Sequence, residues 1–142
     1  MKIFKILPFI ALAILTLFNS CSKDDDSPSE PNVENLLLSG KWYFESRTNL
    51  ILDICDKQSN WRFLPNGNYI LEYYSNADDG CEIYDSTEGT FELLSDETFS
   101  VTYEENTLVY TIVAISETEL IVTVTSGGML ITIVLGKNPG NG

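Results

Sequence analysis

Trp61-Arg62-Phe63-Leu64-Pro65-Asn66-Gly67-Asn68-Tyr69-Ile70-Leu71-Glu72-Tyr73 reads as two short strands joined by a tight turn. Trp61 and Phe63 fall on one face with Arg62 opposite. Tyr69, Leu71 and Tyr73 fall on one face with Glu72 opposite. A period of two is what a strand shows when one of its faces is buried. Asn66-Gly67 supplies the positive φ angles a tight hairpin needs, and Pro65 opens the turn. The chain here is an aromatic β-hairpin.

The same pattern spreads in both directions. Upstream, Lys41–Arg47 alternates Trp42 and Phe44 with Tyr43 and Glu45, and the less regular Thr48–Gln58 contains Cys55. The hairpin strands are placed at Ser59–Leu64 and Asn68–Ser75. A polar loop, Asn76–Gly80, leads to Cys81, and Thr87–Leu94 follows with Phe91 inward and Glu92 outward. Then Phe99, Val101 and Tyr103 alternate with Ser100, Thr102 and Glu104. Thr107–Ile115, Glu119–Thr125 and Met129–Leu135 are separated by turns at Ser116–Thr118 and Gly127-Gly128. These last three strands are apolar on both faces in places, so alternation leaves their orientation open. No segment of ten or more residues shows a helical period. Eight short strands joined by short loops predict an all-β, eight-stranded, up-and-down antiparallel barrel, which closes to remove its edges. The barrel is placed at residues 36–137 and a coil tail at 138–142.

The amino terminus carries a different signal. Lys2 and Lys5 precede the thirteen-residue apolar run Ile6–Phe18, interrupted by Pro8. A bilayer-spanning helix needs roughly 17–25 residues, so the run reads as the apolar region of a signal peptide, residues 1–20. Leu17-Phe18-Asn19-Ser20-Cys21 resembles the lipobox of bacterial lipoproteins, with Phe18 and Asn19 departing from its commonest form. The resemblance implies lipidation at Cys21. Lys23-Asp24-Asp25-Asp26 resembles the surface-export signal of Bacteroidetes lipoproteins, and residues 21–35 read as a flexible acidic tether. The implied location is the outer membrane, lipid-anchored and facing the cell exterior.

Removing residues 1–20 takes away two lysines and no carboxylate, moving the net charge from −13 to −15. A field of that sign repels phosphate backbones, so nucleic acid is not an expected partner. Cys21 is assigned to the anchor, which leaves Cys55 and Cys81. In an oxidising compartment such a pair reads as a disulfide.

Leu38-Ser39-Gly40-Lys41-Trp42 looks like the start of lipocalins. With Cys55, the Trp61–Tyr69 hairpin, Cys81 and Gly89-Thr90-Phe91, it resembles the lipocalin-like domain family of Bacteroidetes lipoproteins over roughly Leu36–Leu135. Lipocalins proper often carry a late arginine stacked on the tryptophan and a helix after the barrel. This chain has neither, and Lys137 is its only late cation.

Catalysis has little to work with, because the chain has no histidine and no pattern that supplies a base for a nucleophile. Glu72, Glu92 and Glu104 read as outward, solvated carboxylates. The loop Asn76–Gly80 with Glu82 and Asp85 offers oxygen ligands of the kind calcium prefers, but lacks EF-hand spacing and reads as a polar turn. No metal or cofactor is expected. The inward positions Trp42, Phe44, Phe63, Tyr69, Tyr73, Phe91 and Phe99 form either a solid core or the lining of a cavity. So short a barrel is expected to be mostly filled. That favours a non-catalytic accessory or interaction module whose loops meet a surface protein or glycan. The alternative is a carrier for a small apolar or amphipathic ligand.

Overall fold

The computed structural model describes residues 32–140. The expected signal peptide, Cys21, the expected tether up to residue 31 and residues 141–142 lie outside them. Asn32 caps a short helix, α1 (Val33–Leu37), its side-chain oxygen accepting from the Asn35 backbone N–H at 2.9 Å. Helix α1 therefore lies partly within residues 21–35, the expected tether, and Leu36, the expected first barrel residue, is helical. Five residues are too few to show a helical period in sequence, or to be stable alone; burial of Leu36 and Leu37 holds the turn in place.

Eight strands follow: β1 (Lys41–Arg47), β2 (Asn60–Phe63), β3 (Asn68–Ala77), β4 (Gly80–Ser95), β5 (Thr98–Tyr103), β6 (Asn106–Ile115), β7 (Glu119–Ser126) and β8 (Met129–Gly136). A 3-10 turn, Asp56–Gln58, lies between β1 and β2. Each strand pairs antiparallel with the next, and β8 pairs back onto β1 to close the barrel. This is the expected topology. Most boundaries shift by only a residue or so, but one region differs more: Asn76 and Ala77 end β3 and Gly80 opens β4, so only Asp78-Asp79 remain as a turn. Backbone pairing with β3 carries that polar ribbon, whose residues 82–86 are exposed, so no apolar alternation marked it.

Turns match their residues. The Leu64–Gly67 turn closes with the Gly67 N–H donating to the Leu64 carbonyl at 3.0 Å, at φ 79°. Gly127 and Gly128, at φ 59° and 78°, make the two-residue hairpin between β7 and β8.

Bulges decide what faces inward. In β1, Phe44 pairs with Leu135 and Ser46 with Val134, so Glu45 is an extra residue. The phase reverses across it: Trp42 and Phe44 point in before the bulge, and Arg47, opposite Ile133, lies on the inner face after it. In β4, Asp85 pairs with Tyr73 and Ile83 with Tyr74, leaving Tyr84 as the extra residue. Beyond it Asp85 and Thr87, in phase with Gly89 and Phe91, line the opening, Asp85 exposed at its rim.

The end of the barrel beside α1 is closed. Trp42, Phe63, Phe99, Leu120 and Leu135 are fully buried there with Leu37. Phe63 meets Phe91 and Phe99 edge-on, with ring centroids 5.0 and 5.4 Å apart. The Trp42 indole N–H donates to the Leu37 carbonyl at 3.0 Å, tying α1 across the bottom. Outside the barrel, Lys41 Nζ and Glu72 Oε2 pair at 2.8 Å, and Asn60 also donates to Glu72. Glu72 is thus half-buried and paired rather than freely solvated, and these partners hold its carboxyl below the usual range. Glu92 and Glu104 are exposed as expected, Glu104 within the β5–β6 turn.

Candidate functional site

At the opposite end, the inward side chains do not fill the space. A cavity of about 350 Å³ opens between the strands, within the roughly 300–1,000 Å³ range of small-molecule pockets. The expectation of a mostly filled interior holds only for the closed half. The reason lies in side-chain size. Phe63, Phe91 and Phe99 meet across the closed half, whereas the upper positions carry Thr87, Leu108, Ser126 and Ile131.

The deep wall is aromatic. Trp61 packs edge-on against Phe44 and Tyr110, at 5.7 and 5.1 Å between centroids, and Tyr110 stacks on Phe99. Aliphatic walls come from Leu71, Val101, Val124 and Ile133. Tyr69, Tyr73, Tyr103 and Tyr110 bring four hydroxyls, none hydrogen-bonded to another protein group among the described residues. Burial pushes the Tyr69 phenol up to about 12 and raises Tyr73 and Tyr110 as well. The hydroxyls of Tyr69, Tyr73 and Tyr110 therefore stay protonated at neutral pH and can donate. The Trp61 indole N–H is buried without a partner.

Two charged side chains complete the lining, Arg47 and Asp85. The only ion pair among the described residues is Lys41–Glu72, so Arg47 and Asp85 are not paired with each other. A side hollow of about 160 Å³, bounded by Leu50, Leu52 and Tyr84, shares Phe44, Arg47 and Tyr73 with the main cavity.

The loop between β1 and β2 is pinned beside this opening. Cys55 and Cys81 form the expected disulfide, Cα atoms 5.2 Å apart, fastening the loop to the start of β4. Asn76 donates to Asp53 at 2.6 Å. Asp53 also accepts from the backbone of Asp56 and Cys55, and its carboxyl is held below the usual range, chiefly by the Asp56 N–H. The oxygen-rich stretch from Asn76 to Asp85 does not converge: Asn76 is committed to Asp53, and Asp85 turns into the barrel.

Of the residues singled out from sequence, Phe44, Tyr69 and Tyr73 line the cavity. Trp42, Phe63, Phe91 and Phe99 belong to the packed closed half. Sequence reasoning missed Arg47, Asp85 and Tyr110. The signal for Arg47 was there, since the consecutive polar residues Glu45-Ser46 break the alternation, as a bulge does. Lys137 fills the place for which no late arginine was found: its ammonium lies 3.4 Å from the Trp42 ring centroid.

Comparison with known proteins agrees with this architecture. The chain is similar in structure to a lipocalin-like protein from Bacteroides uniformis, with 15% identity and a TM-score of 0.51 over 72% of this chain and 99% of that one. Bovine odorant binding protein in complex with a selenium-containing odorant is more distant, at 21% identity, TM-score 0.43, and coverage of 80% and 76%. The siderocalin Ex-FABP matches at 17% identity, TM-score 0.44, and coverage of 75% and 77%. Among curated proteins, none matches the sequence significantly. The sequence model of the lipocalin-like domain matches residues 38–122, more than half of the chain, and the protein belongs to that family.

Proposed function

We propose that this protein is a non-catalytic carrier that holds a small amphipathic molecule in the open half of its barrel. In this reading a lipid on Cys21 anchors it to the outer membrane, facing the cell exterior. The observation that carries the binding role is the cavity of about 350 Å³, aliphatic and aromatic in its walls and supplied with hydrogen-bond donors lacking protein partners. A purely apolar guest would leave those donors unsatisfied, and a fully polar one would waste the walls. The fold family points the same way, since lipocalin-like barrels generally bind small hydrophobic ligands.

Trp61 offers a built-in reporter. It lines the cavity, while the only other tryptophan, Trp42, is sealed in the closed end. Titration with medium-chain amphiphiles should change Trp61 emission saturably at one-to-one stoichiometry, and Trp61→Phe should abolish the response. Absence of saturable binding across such a series, checked by native mass spectrometry, would return the protein to the interaction-module reading. One observation favours that second reading: Ile51 is 95% exposed, and Leu50 and Ile54 are exposed on the same loop.

A further inference from the structure

We propose that the ligand of this cavity carries a dipolar head, with an anionic and a cationic group close together, rather than a single charge. The inference rests on the carrier reading and narrows its ligand to a zwitterionic amphiphile. Arg47 and Asp85 are the charged side chains in the lining, Asp85 exposed at its rim. Glu45 reverses the phase of β1 to bring Arg47 in, while Asp85 on β4 faces the same opening in phase with Thr87, Gly89 and Phe91. A one-residue insertion on β1 and the regular alternation of β4 thus deliver opposite charges to one opening.

The two charges stay apart. They form no ion pair, and Tyr73 lies between their influences: it faces Asp85 across the β3–β4 ladder and shares the side hollow with Arg47. A head seated here displaces water from both. A carboxylate alone would satisfy Arg47 but meet Asp85 as a like charge. An ammonium alone would do the reverse. A head with both groups compensates both, with the guanidinium taking the anion in its planar fork and Asp85 the ammonium. The tyrosine hydroxyls supply neutral hydrogen bonds between them. An α-amino-acid head and an aminophosphate head share this chemistry, and the two are separated by experiment.

Five probes with the same decyl chain test it on the folded, disulfide-bonded protein: decanol, decanoate, decylamine, α-aminodecanoate and decylphosphoethanolamine. Binding is read from Trp61 emission and confirmed by calorimetry. At least one zwitterion should bind about tenfold or more tighter than decanoate, decylamine and decanol, with the tighter of the two naming the head. In Arg47→Gln the zwitterion should fall to the level of decylamine, and in Asp85→Asn to that of decanoate. Equal affinity for decanol and the zwitterions would overturn the dipolar head while leaving the carrier intact. Decanoate binding as tightly as the zwitterions would overturn it too, in favour of a simple anion. No binding by any probe would sink both readings.

Discussion

The ammonium of Lys137 sits 3.4 Å from the centroid of the Trp42 ring, and its nitrogen is buried without a hydrogen-bond partner. A cation over an indole face gains about 0.5–2 kcal/mol, more when desolvated. Burial nonetheless lowers the Lys137 pKa to about 8 from an ordinary 10.5. Between those values the unfolded chain holds the proton more tightly than the folded one, so stability at this site rises with pH. Below about 8 both states are protonated and the dependence disappears. The stability difference between wild type and Lys137→Met should therefore move in favour of wild type from about pH 7.5 to 9.5. Denaturant midpoints measure it. Tyrosine ionisation at higher pH is common to both proteins and cancels in the difference. A flat difference would mean that the indole keeps the proton on Lys137 throughout.

Breaking the Cys55–Cys81 bridge should cost roughly 2–5 kcal/mol, the usual range for a small domain. The paired Cys55→Ser and Cys81→Ser variant isolates it, measured by urea unfolding. Loss of amide protection should concentrate in residues 48–59, because Asn76–Asp53 would be left as a side-chain tie between that loop and the β3–β4 hairpin. Uniform loss across the barrel would show instead that the bridge supports the whole fold.

The two halves of the barrel should answer differently to substitution. Tyr73→Trp places bulk in the cavity and should block amphiphile binding while costing less than about 1 kcal/mol, because there is room to receive it. Phe63→Ala should cost about 3–5 kcal/mol through the void it leaves in the closed half. Overpacking by Tyr73→Trp of about 1–3 kcal/mol would mean that the upper barrel is closed in solution.

The anchor is tested in a host that processes lipoproteins. Cys21→Ser should release soluble protein or leave unprocessed precursor. Replacing Asp24, Asp25 and Asp26 with Ala should leave lipidation intact and reduce cleavage by external protease. Mature Cys21→Ser protein still partitioning with the outer membrane would end the lipobox reading. Unchanged cleavage of the triple-alanine protein would reduce the acidic run to a spacer.

Strand after strand was legible from alternation and turn chemistry, because burial of one face leaves a period-two trace and Pro65-Asn66-Gly67 permits little but a turn. The disulfide was legible from the cysteine count together with the oxidising compartment expected from the amino-terminal sequence. Arg47 was not, since one inserted residue inverts the facing of all that follow and alternation extrapolated past Glu45 sends it to solvent; Asp85, in phase with Phe91, was not because the strand was begun only at Thr87. The opening of β4 was missed because Gly80–Ser86 is strand by pairing alone. Nor could alternation tell whether the interior is full: it assigns residues to a face but does not measure the space between faces. That depends on which sizes meet at each level, and the phenylalanines gather at one end.

Because β1 closes on β8, with Tyr43 opposite Gly136 and Arg47 opposite Ile133, the barrel joins its first strand to its last. Every other pairing is between neighbours in sequence, and this one alone must wait for nearly the whole chain. Until β8 docks, β1 and β7 both present bare hydrogen-bonding edges, open to pairing with other chains. A polypeptide interrupted before Gly136 is then a sheet with two adhesive borders, so the hazard in making this protein falls in the moments before its final strand is complete.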